Sequence, residues 1–291
     1  MSSRTATHDQ IKPVLVVQAP TLNLLHYLYR TLRAAKYVPS LAKMFLRHLY
    51  RETVLGWWWL IFRAVLPTLG IIVIFQHVPA LRQEGFPYPL FVISGMLFWT
   101  AVTTTLLRGV RALQYGRRLF AKLTAPKLIY LIASGSVAGF FSLIFVAVLG
   151  VGIAFEYFSS GTLYLKLAWP LLLAPAPLLV GFLLCLGICS FFSVATLVAR
   201  DARYVLPVIT QVGFYVTPIF YTLDIMPPNW QTAILFLNPL APLLEFFRWT
   251  LFGVGTWDLA SLTTAVLISL AAFLIGARFL MYSEWALSDG I

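Results

Sequence analysis

The chain has 291 residues, of which 60% are hydrophobic and only 11% charged, with a mean hydropathy of +0.86. Soluble domains carry about 25% charged residues, so lipid must solvate most of this chain. With 2 Cys and 18 Gly it is neither disulfide-stapled nor collagenous, and the hydropathy removes nucleic acid as the partner of its +11 formal charge.

Residues 1–20 hold no apolar run long enough for a signal-peptide core, the best being 14–17, and are read as a retained, mobile cytoplasmic tail. Residues 21–56 are read as amphipathic interface helices. The pattern breaks at Pro39 and resumes with Ser40 as a plausible N-cap. Leu41, Met44, Phe45 and Leu49 then share one face, with Lys43, Arg47 and Arg51 on the other. Such a basic face meets anionic headgroups. A solvated charged helix is the plainer alternative, and the Trp57, Trp58 and Trp59 anchor downstream weighs against it.

A hydrocarbon core of about 30 Å takes ~20 apolar residues. Charge-free stretches of that kind fall at 64–76, at 88–107, within 128–155, within 167–199, at 204–223 and at 259–277. The first extends back through Trp57, Trp58 and Trp59 if Arg63 snorkels toward the near surface. The run 225–244 is also charge-free, but Pro227, Pro228, Pro239 and Pro242 disfavour one continuous helix. Residues 225–253 are therefore read as a re-entrant pair of short helices. The expected fold is all-α: a polytopic membrane domain over 57–280 with six spans, followed by a cytoplasmic tail at 281–291.

Placing both termini in the cytoplasm puts every Lys and Arg except Arg82, Lys166 and Arg248 on the inner side, as the positive-inside rule asks. A seven-span reading only exchanges Arg248 for Arg278, so the prolines decide against it and the charges do not.

No catalytic constellation is visible. There is no GxxxxGK[ST] phosphate loop and no Gly-Lys dipeptide, so ATP hydrolysis is not expected of this chain. His8, His26, His48 and His77 are scattered, and Cys185 and Cys189 read as packing residues, with no metal site. The charge-free spans also lack the mid-membrane ionisable groups that a proton-coupled carrier needs.

Several segments occur in an informative order. Arg51, Leu55-Gly56, Trp57 to Trp59 and Pro67 lead into the first span; Tyr88-Pro89, Ser94-Gly95 and Phe98-Trp99 mark the second. Leu119, Lys122 and Pro126 precede the third. The far half carries Arg200-Asp201, residues 217–221, Pro227 to Trp230, Leu237 to Leu240, Phe247-Arg248 and Leu251 to Gly253. From about residue 47 to 278 this order resembles the permease subunits of type-2 ABC polysaccharide exporters, which move capsule, O-antigen or teichoic-acid chains.

The resemblance implies a homodimer in the bacterial cytoplasmic (inner) membrane and two ATP-binding subunits on separate chains, which hold ATP and Mg. It implies a lipid-linked polysaccharide as substrate, and no cofactor or metal in this chain. The loop 108–127 becomes the coupling helix gripped by the ATPase, through Arg111, Tyr115, Arg117, Arg118, Phe120 and Lys122, with Arg200 and Asp201 as a second contact. Inner-side charge alone would explain the same residues. Trp230, Asn238, Pro239 and the pair Glu245 and Arg248, which on a helix can neutralise each other beside lipid, would form the outward gate; a stably packed cap is the plainer reading.

The 9 Trp, 13 Tyr and 23 Phe suit a glycan conduit, because rings stack on sugar faces while permitting sliding. Phe98, Trp99, Tyr215, Phe220 and Tyr221 are the path candidates, with Trp57, Trp58 and Trp59 at the cytoplasmic entrance; enrichment at membrane interfaces explains any single ring equally well. Lys43, Arg47 and Arg51 would meet the phosphate of the lipid carrier. A permease for a drug or small lipid would share the spans and coupling loop but has less use for this aromatic load. A membrane anchor or receptor would need no ATPase.

Overall fold

The computed structural model describes residues 23–50, 58–81, 83–120, 125–199 and 201–288, and these are helical, with no strand among them. The amino-terminal helix α1 (Leu24–Ala34) starts at Asn23, whose side chain accepts from the Leu25 amide at 3.0 Å. It buries Tyr27, Thr31 and Ala34, spaced along one face. A single 3-10 turn leads into α2 (Val38–Tyr50). Ser40 is not its cap: the helix begins two residues earlier, because Pro39 needs no amide partner in a first turn. Leu41 and Phe45 of α2 are buried, whereas Lys43 and Arg47 are exposed.

Among the described residues, four helical segments are long and apolar enough to cross a bilayer: 88–116, 128–160, 169–198 and 259–284. The first belongs to α4 (Tyr88–Phe120), a single helix of 33 residues. The second comprises α5 (Leu128–Gly135) and α6 (Val137–Ser160), separated by a break at Ser136. The third contains α7 (Pro175–Val198), and the fourth is α11 (Leu259–Ser288), started by Asp258 accepting from the Ser261 amide at 2.7 Å. Two more apolar helices are shorter: α3 (Trp58–Phe75) and α8 (Ala202–Val216), of 18 and 15 residues, each containing an internal proline, Pro67 and Pro207. Between α8 and α11 lie α9 (Pro228–Leu237) and α10 (Leu240–Phe252). At 1.5 Å per residue both fall below about 20 Å and cannot cross alone.

α4 lies at the centre, buried for most of its length between α6 and α7, while α5–α6 and α11 expose most of theirs. Small residues set the close crossings. A Cβ on Gly187 of α7 would run into the backbone of Ala272 on α11, and one on Gly276 into the carbonyl of Gly187. On the other side of α7, Cys185 and Cys189 are free, buried thiols that donate to the α4 carbonyls of Val102 (3.7 Å) and Leu106 (3.4 Å). Close backbone approach of this kind substitutes for a hydrophobic driving force that lipid does not supply.

At the end of the bundle holding α1 and α2, the Tyr27 hydroxyl donates to Glu284 Oε1 at 2.5 Å, and the Lys127 amide donates to the same oxygen at 2.5 Å. The Leu128 amide in turn donates to Tyr27. This knot joins α1, the start of α5 and the end of α11. Burial first, and the Glu284 charge second, push the Tyr27 phenol far up, so it remains a donor at any physiological pH.

Gly276→Val should destabilise the protein by about 1–3 kcal/mol or more through overpacking against Gly187, read as a fall in melting temperature in detergent. Gly139→Ala on α6, where a Cβ meets nothing within 4 Å, should leave it unchanged or slightly raised.

Candidate functional site

One face of α4 lines a cavity of about 510 Å³. Met96, Trp99, Thr103, Leu107, Arg111 and Tyr115 recur every three or four residues along it, with Thr100, Thr104 and Arg108 beside them. The chemistry along that stripe is graded. Sulfur and indole stand at one end, hydroxyls in the middle and guanidinium groups at the other. The opposite walls are Phe45 of α2, Ser134 and Phe141 of α5–α6, and Pro207 and Phe214 of α8. Arg108 sits over the Phe141 ring at 5.6 Å, a cation–π geometry that restrains its guanidinium.

A smaller recess of about 260 Å³ adjoins this cavity between α3, α4 and α8, and shares Met96, Trp99, Thr103, Pro207 and Phe214 with it. From Trp99 an aromatic series continues. Phe214 lies 6.0 Å from Trp99 and stacks on Phe220 at 5.6 Å, and Phe220 stacks on Phe75 of α3 at 5.5 Å. Tyr215 meets Phe214 and Phe220 edge-on and lines only the smaller recess.

The expected path residues are therefore divided. Trp99, Tyr215 and Phe220 belong to the series. Phe98 does not line the cavity: neighbouring helical residues point about 100° apart, and Phe98 is fully buried against Phe247. Tyr221 is buried too, its hydroxyl donating to the Tyr215 and Val216 carbonyls at 3.1 and 3.0 Å, where it satisfies the open end of α8. Trp58 and Trp59 are exposed at the start of α3; Trp57 and Arg51 lie outside the described residues. Phe75, Phe214, Phe45 and Phe141 were missed. For Phe214 the signal was available, since Pro207, Thr210 or Gln211, and Phe214 repeat at helical spacing.

Around Phe220 the chain is anchored by several side chains, Arg248 first among them. Arg248 of α10 is fully buried and donates to the carbonyls of Pro218 (2.6 Å), Ile219 (2.6 Å) and Phe91 (3.3 Å). It pairs with Glu245 at 2.8 Å and lies 3.6 Å over the Phe91 ring. Glu245 Oε2 accepts from the Thr256 amide at 3.0 Å. Gly95 is obligatory here, as a Cβ would meet the Ile219 carbonyl and the guanidinium. The pair thus sits inside protein, and the expectation that it shields charge beside lipid is corrected. Asn238, at the α9–α10 break with Pro239, donates to Thr217 at 2.9 Å, and the Tyr88 hydroxyl donates to the Phe220 carbonyl at 2.9 Å. Trp230 is apart from this group and exposed on α9.

Of the residues expected at an ATPase surface, Arg111 and Tyr115 line the cavity. Arg117, Arg118 and Phe120 fall in the last turn of α4, their side chains outside the described set; Lys122 and Arg200 lie outside it altogether. Asp201 is exposed just before α8. No group of three metal-ligating side chains occurs among the described residues.

The described residues thus form a helical membrane protein whose cavity is graded from aromatic to cationic along α4. The particular family follows from comparison with known proteins: residues 38–252 match the ABC-2 type transporter family, and the chain belongs to it, as a membrane component and not an ATPase. It is 25% identical over 212 residues to the O-antigen export system permease protein RfbA of Myxococcus xanthus, covering 72% of this chain and 77% of that one. To the RfbA of Klebsiella pneumoniae it is 24% identical, covering 71% and 76%. To the polysialic acid transport protein KpsM of Escherichia coli it is 24% identical over 239 residues, covering 80% and 88%.

Removing one member of a buried ion pair costs about 3–5 kcal/mol, so Arg248→Ala should cause a large drop in melting temperature. Arg248→Lys should rescue little, because one ammonium cannot reach the carbonyls that the planar fork reaches. A double change to Glu245→Met with Arg248→Met should cost less than the sum of the singles.

Proposed function

We propose that this chain is the transmembrane subunit of an ATP-driven exporter that moves a lipid-linked polysaccharide across the bacterial inner membrane. The aromatic series from Trp99 through Phe214 and Phe220 to Phe75, continuous with a threonine-lined cavity, carries this reading. Rings and hydroxyls together match the C–H faces and hydroxyls of sugars without fixing one register. Relatives named for O-antigen export and polysialic acid transport support it.

On this reading α3 and α8 complete six spans, α9 and α10 form the re-entrant outward gate around Asn238 and Pro239, and both termini are cytoplasmic. A second copy of the chain closes the path beside α3 and α8, whose apolar faces are exposed in the single chain. Two ATP-binding subunits dock at the end of α4 that carries Arg117, Arg118 and Phe120, and at Lys122 after it in sequence, with Arg200 and Asp201 as the second contact. Lys43 and Arg47, exposed on α2, lie against anionic headgroups, and Trp58 and Trp59 flank the entrance.

Deleting the gene should abolish the surface glycan and accumulate its lipid-linked form inside the cell; a normal surface glycan sinks the reading. Trp99→Ala and Phe214→Ala should each lower surface glycan severalfold while leaving subunit abundance and ATPase recovery intact. A cysteine at Thr256 should be labelled from outside, and labelling from inside only would reinstate seven spans.

A further inference from the structure

Three cations fall at the bundle end away from α1 and α2. Arg248 is occupied by its clasp and Arg82 lies outside the described residues, which leaves Lys166. The Lys166 amide donates to the Leu251 carbonyl at 2.8 Å, and its stem packs where a Cβ on Gly253 would stand. Its ammonium lies 5.9 Å from the centre of the Trp249 ring. Trp249 is itself the middle of a ring cluster, with Trp169 edge-on at 6.2 Å, Phe246 stacked at 5.6 Å and Trp257 at 5.1 Å. These rings come from the connection before α7, from α10 and from the connection before α11, so three chain segments converge on one patch. Trp169 is 68% exposed and Lys166 is exposed, while Phe246, Trp249 and Trp257 are half-buried.

A lysine beside a helix C-terminus complements the helix dipole, which accounts for an ammonium near Gly253 but not for the rings. Membrane interfaces enrich single Trp and Tyr residues at headgroup level, which does not bring four rings together on one cation. The ammonium and the three indole N–H groups have no hydrogen-bond or ion-pair partner among the described residues. The carboxylates on these segments are already engaged, Glu245 by Arg248 and the Thr256 amide, and Asp258 by the Ser261 amide. Donors without acceptors fit an anionic ligand rich in oxygen. Leu163, Leu167 and Leu172, all exposed on the same connection as Lys166, fit one with aliphatic chains. The rings meet α10 on its α7 and α11 side, whereas the aromatic series of the cavity runs along α3, α4 and α8, so the cluster does not continue that series.

We infer that Lys166, with the indoles of Trp169, Trp249 and Trp257, forms a site for the phosphate of a bilayer phospholipid at the end of the bundle away from α1 and α2, the acyl chains lying over the exposed leucines. The ammonium supplies the charge-assisted contact, and the indoles combine an apolar body with a polar edge, as the boundary between headgroup and acyl chain requires. The site goes beyond the export reading and does not rest on it.

The test uses the full-length chain in lipid nanodiscs that contain equal amounts of phosphatidylglycerol and of diacylglycerol with the same acyl chains. A benzophenone amino acid replaces Leu167, which is exposed beside Lys166, and the adducts formed on irradiation are identified by mass spectrometry. Phosphatidylglycerol should be captured about tenfold or more over diacylglycerol, as one charge-assisted hydrogen bond provides. Lys166→Gln should bring that ratio close to one without changing the melting temperature, and Lys166→Arg should keep it. Trp169→Phe, which retains a ring and loses a donor, should give an intermediate ratio. Lys36→Gln, at the other end of the bundle, should change nothing. In intact cells the same cross-link should also yield a phospholipid adduct. A glycan or protein adduct in its place, equal capture of the two lipids, or a preference that survives Lys166→Gln overturns the proposal. Normal surface glycan after gene deletion would remove the export reading and leave this result standing, so the two fail separately.

Discussion

The far end of this molecule depends on one buried guanidinium. Arg248 spends its donors on the backbone of residues 218 and 219, on the carbonyl of Phe91 and on Glu245. An isolated ion pair in the interior returns little net stability, because desolvation offsets the attraction. The value of this one lies in what it positions. Residues 218–221 leave α8 without helical hydrogen bonds of their own, and an unsatisfied carbonyl at membrane depth costs several kcal/mol. Arg248 satisfies two of those carbonyls at once, Tyr88 satisfies a third, and Asn238 binds the Thr217 side chain. The result fixes where Phe220 stands, and with it the last rings of the aromatic series.

α4 explains why those rings align with anything. It contacts α3, α5, α6, α7, α8 and α10, and its two faces have different work. One face meets α7 through Gly109 and the thiols of Cys185 and Cys189; Gly95, near its other end, admits the Ile219 carbonyl and Arg248. The face carrying Met96, Trp99, Thr103 and Arg111 meets the cavity. The rotation between adjacent residues separates Phe98 from Trp99, so two aromatics that look equivalent in sequence divide between packing and cavity.

The membrane character, the all-helical fold and four of the spans were legible because hydropathy over ~20 residues is a strong, local signal. The two short helices after α8 were legible from Pro227, Pro228, Pro239 and Pro242, since proline removes a donor and fixes its own torsion. Side-chain direction was far less so. Phe214 and Tyr215 carry equal aromatic weight in a sequence, and only the register of α8 against α4 decides which ring reaches the cavity. The spacing of Glu245 and Arg248 announced a pair, yet nothing in that spacing reveals the backbone carbonyls of Pro218 and Ile219, which lie 30 and 29 residues away in the chain. Long-range polar satisfaction of this kind leaves no periodic trace.

The same geometry bears on how force would pass through the protein. α4 is unbroken for 33 residues, about 50 Å at 1.5 Å per residue, and its only proline, Pro89, falls in the first turn, where proline does not bend a helix. Its neighbour in sequence is different: α5 and α6 are interrupted at Ser136, whose hydroxyl turns back to the Ala133 carbonyl at 2.9 Å. A push on the segment between them, at residues 121–127, would therefore meet a stiff rod on one side and a jointed one on the other. The rod ends in the Arg248 clasp through Phe91 and Gly95, so its displacement would carry residues 217–221 with it. The jointed side is tied at its base to α1 and α11 through Tyr27 and Glu284, which would resist its following the rod.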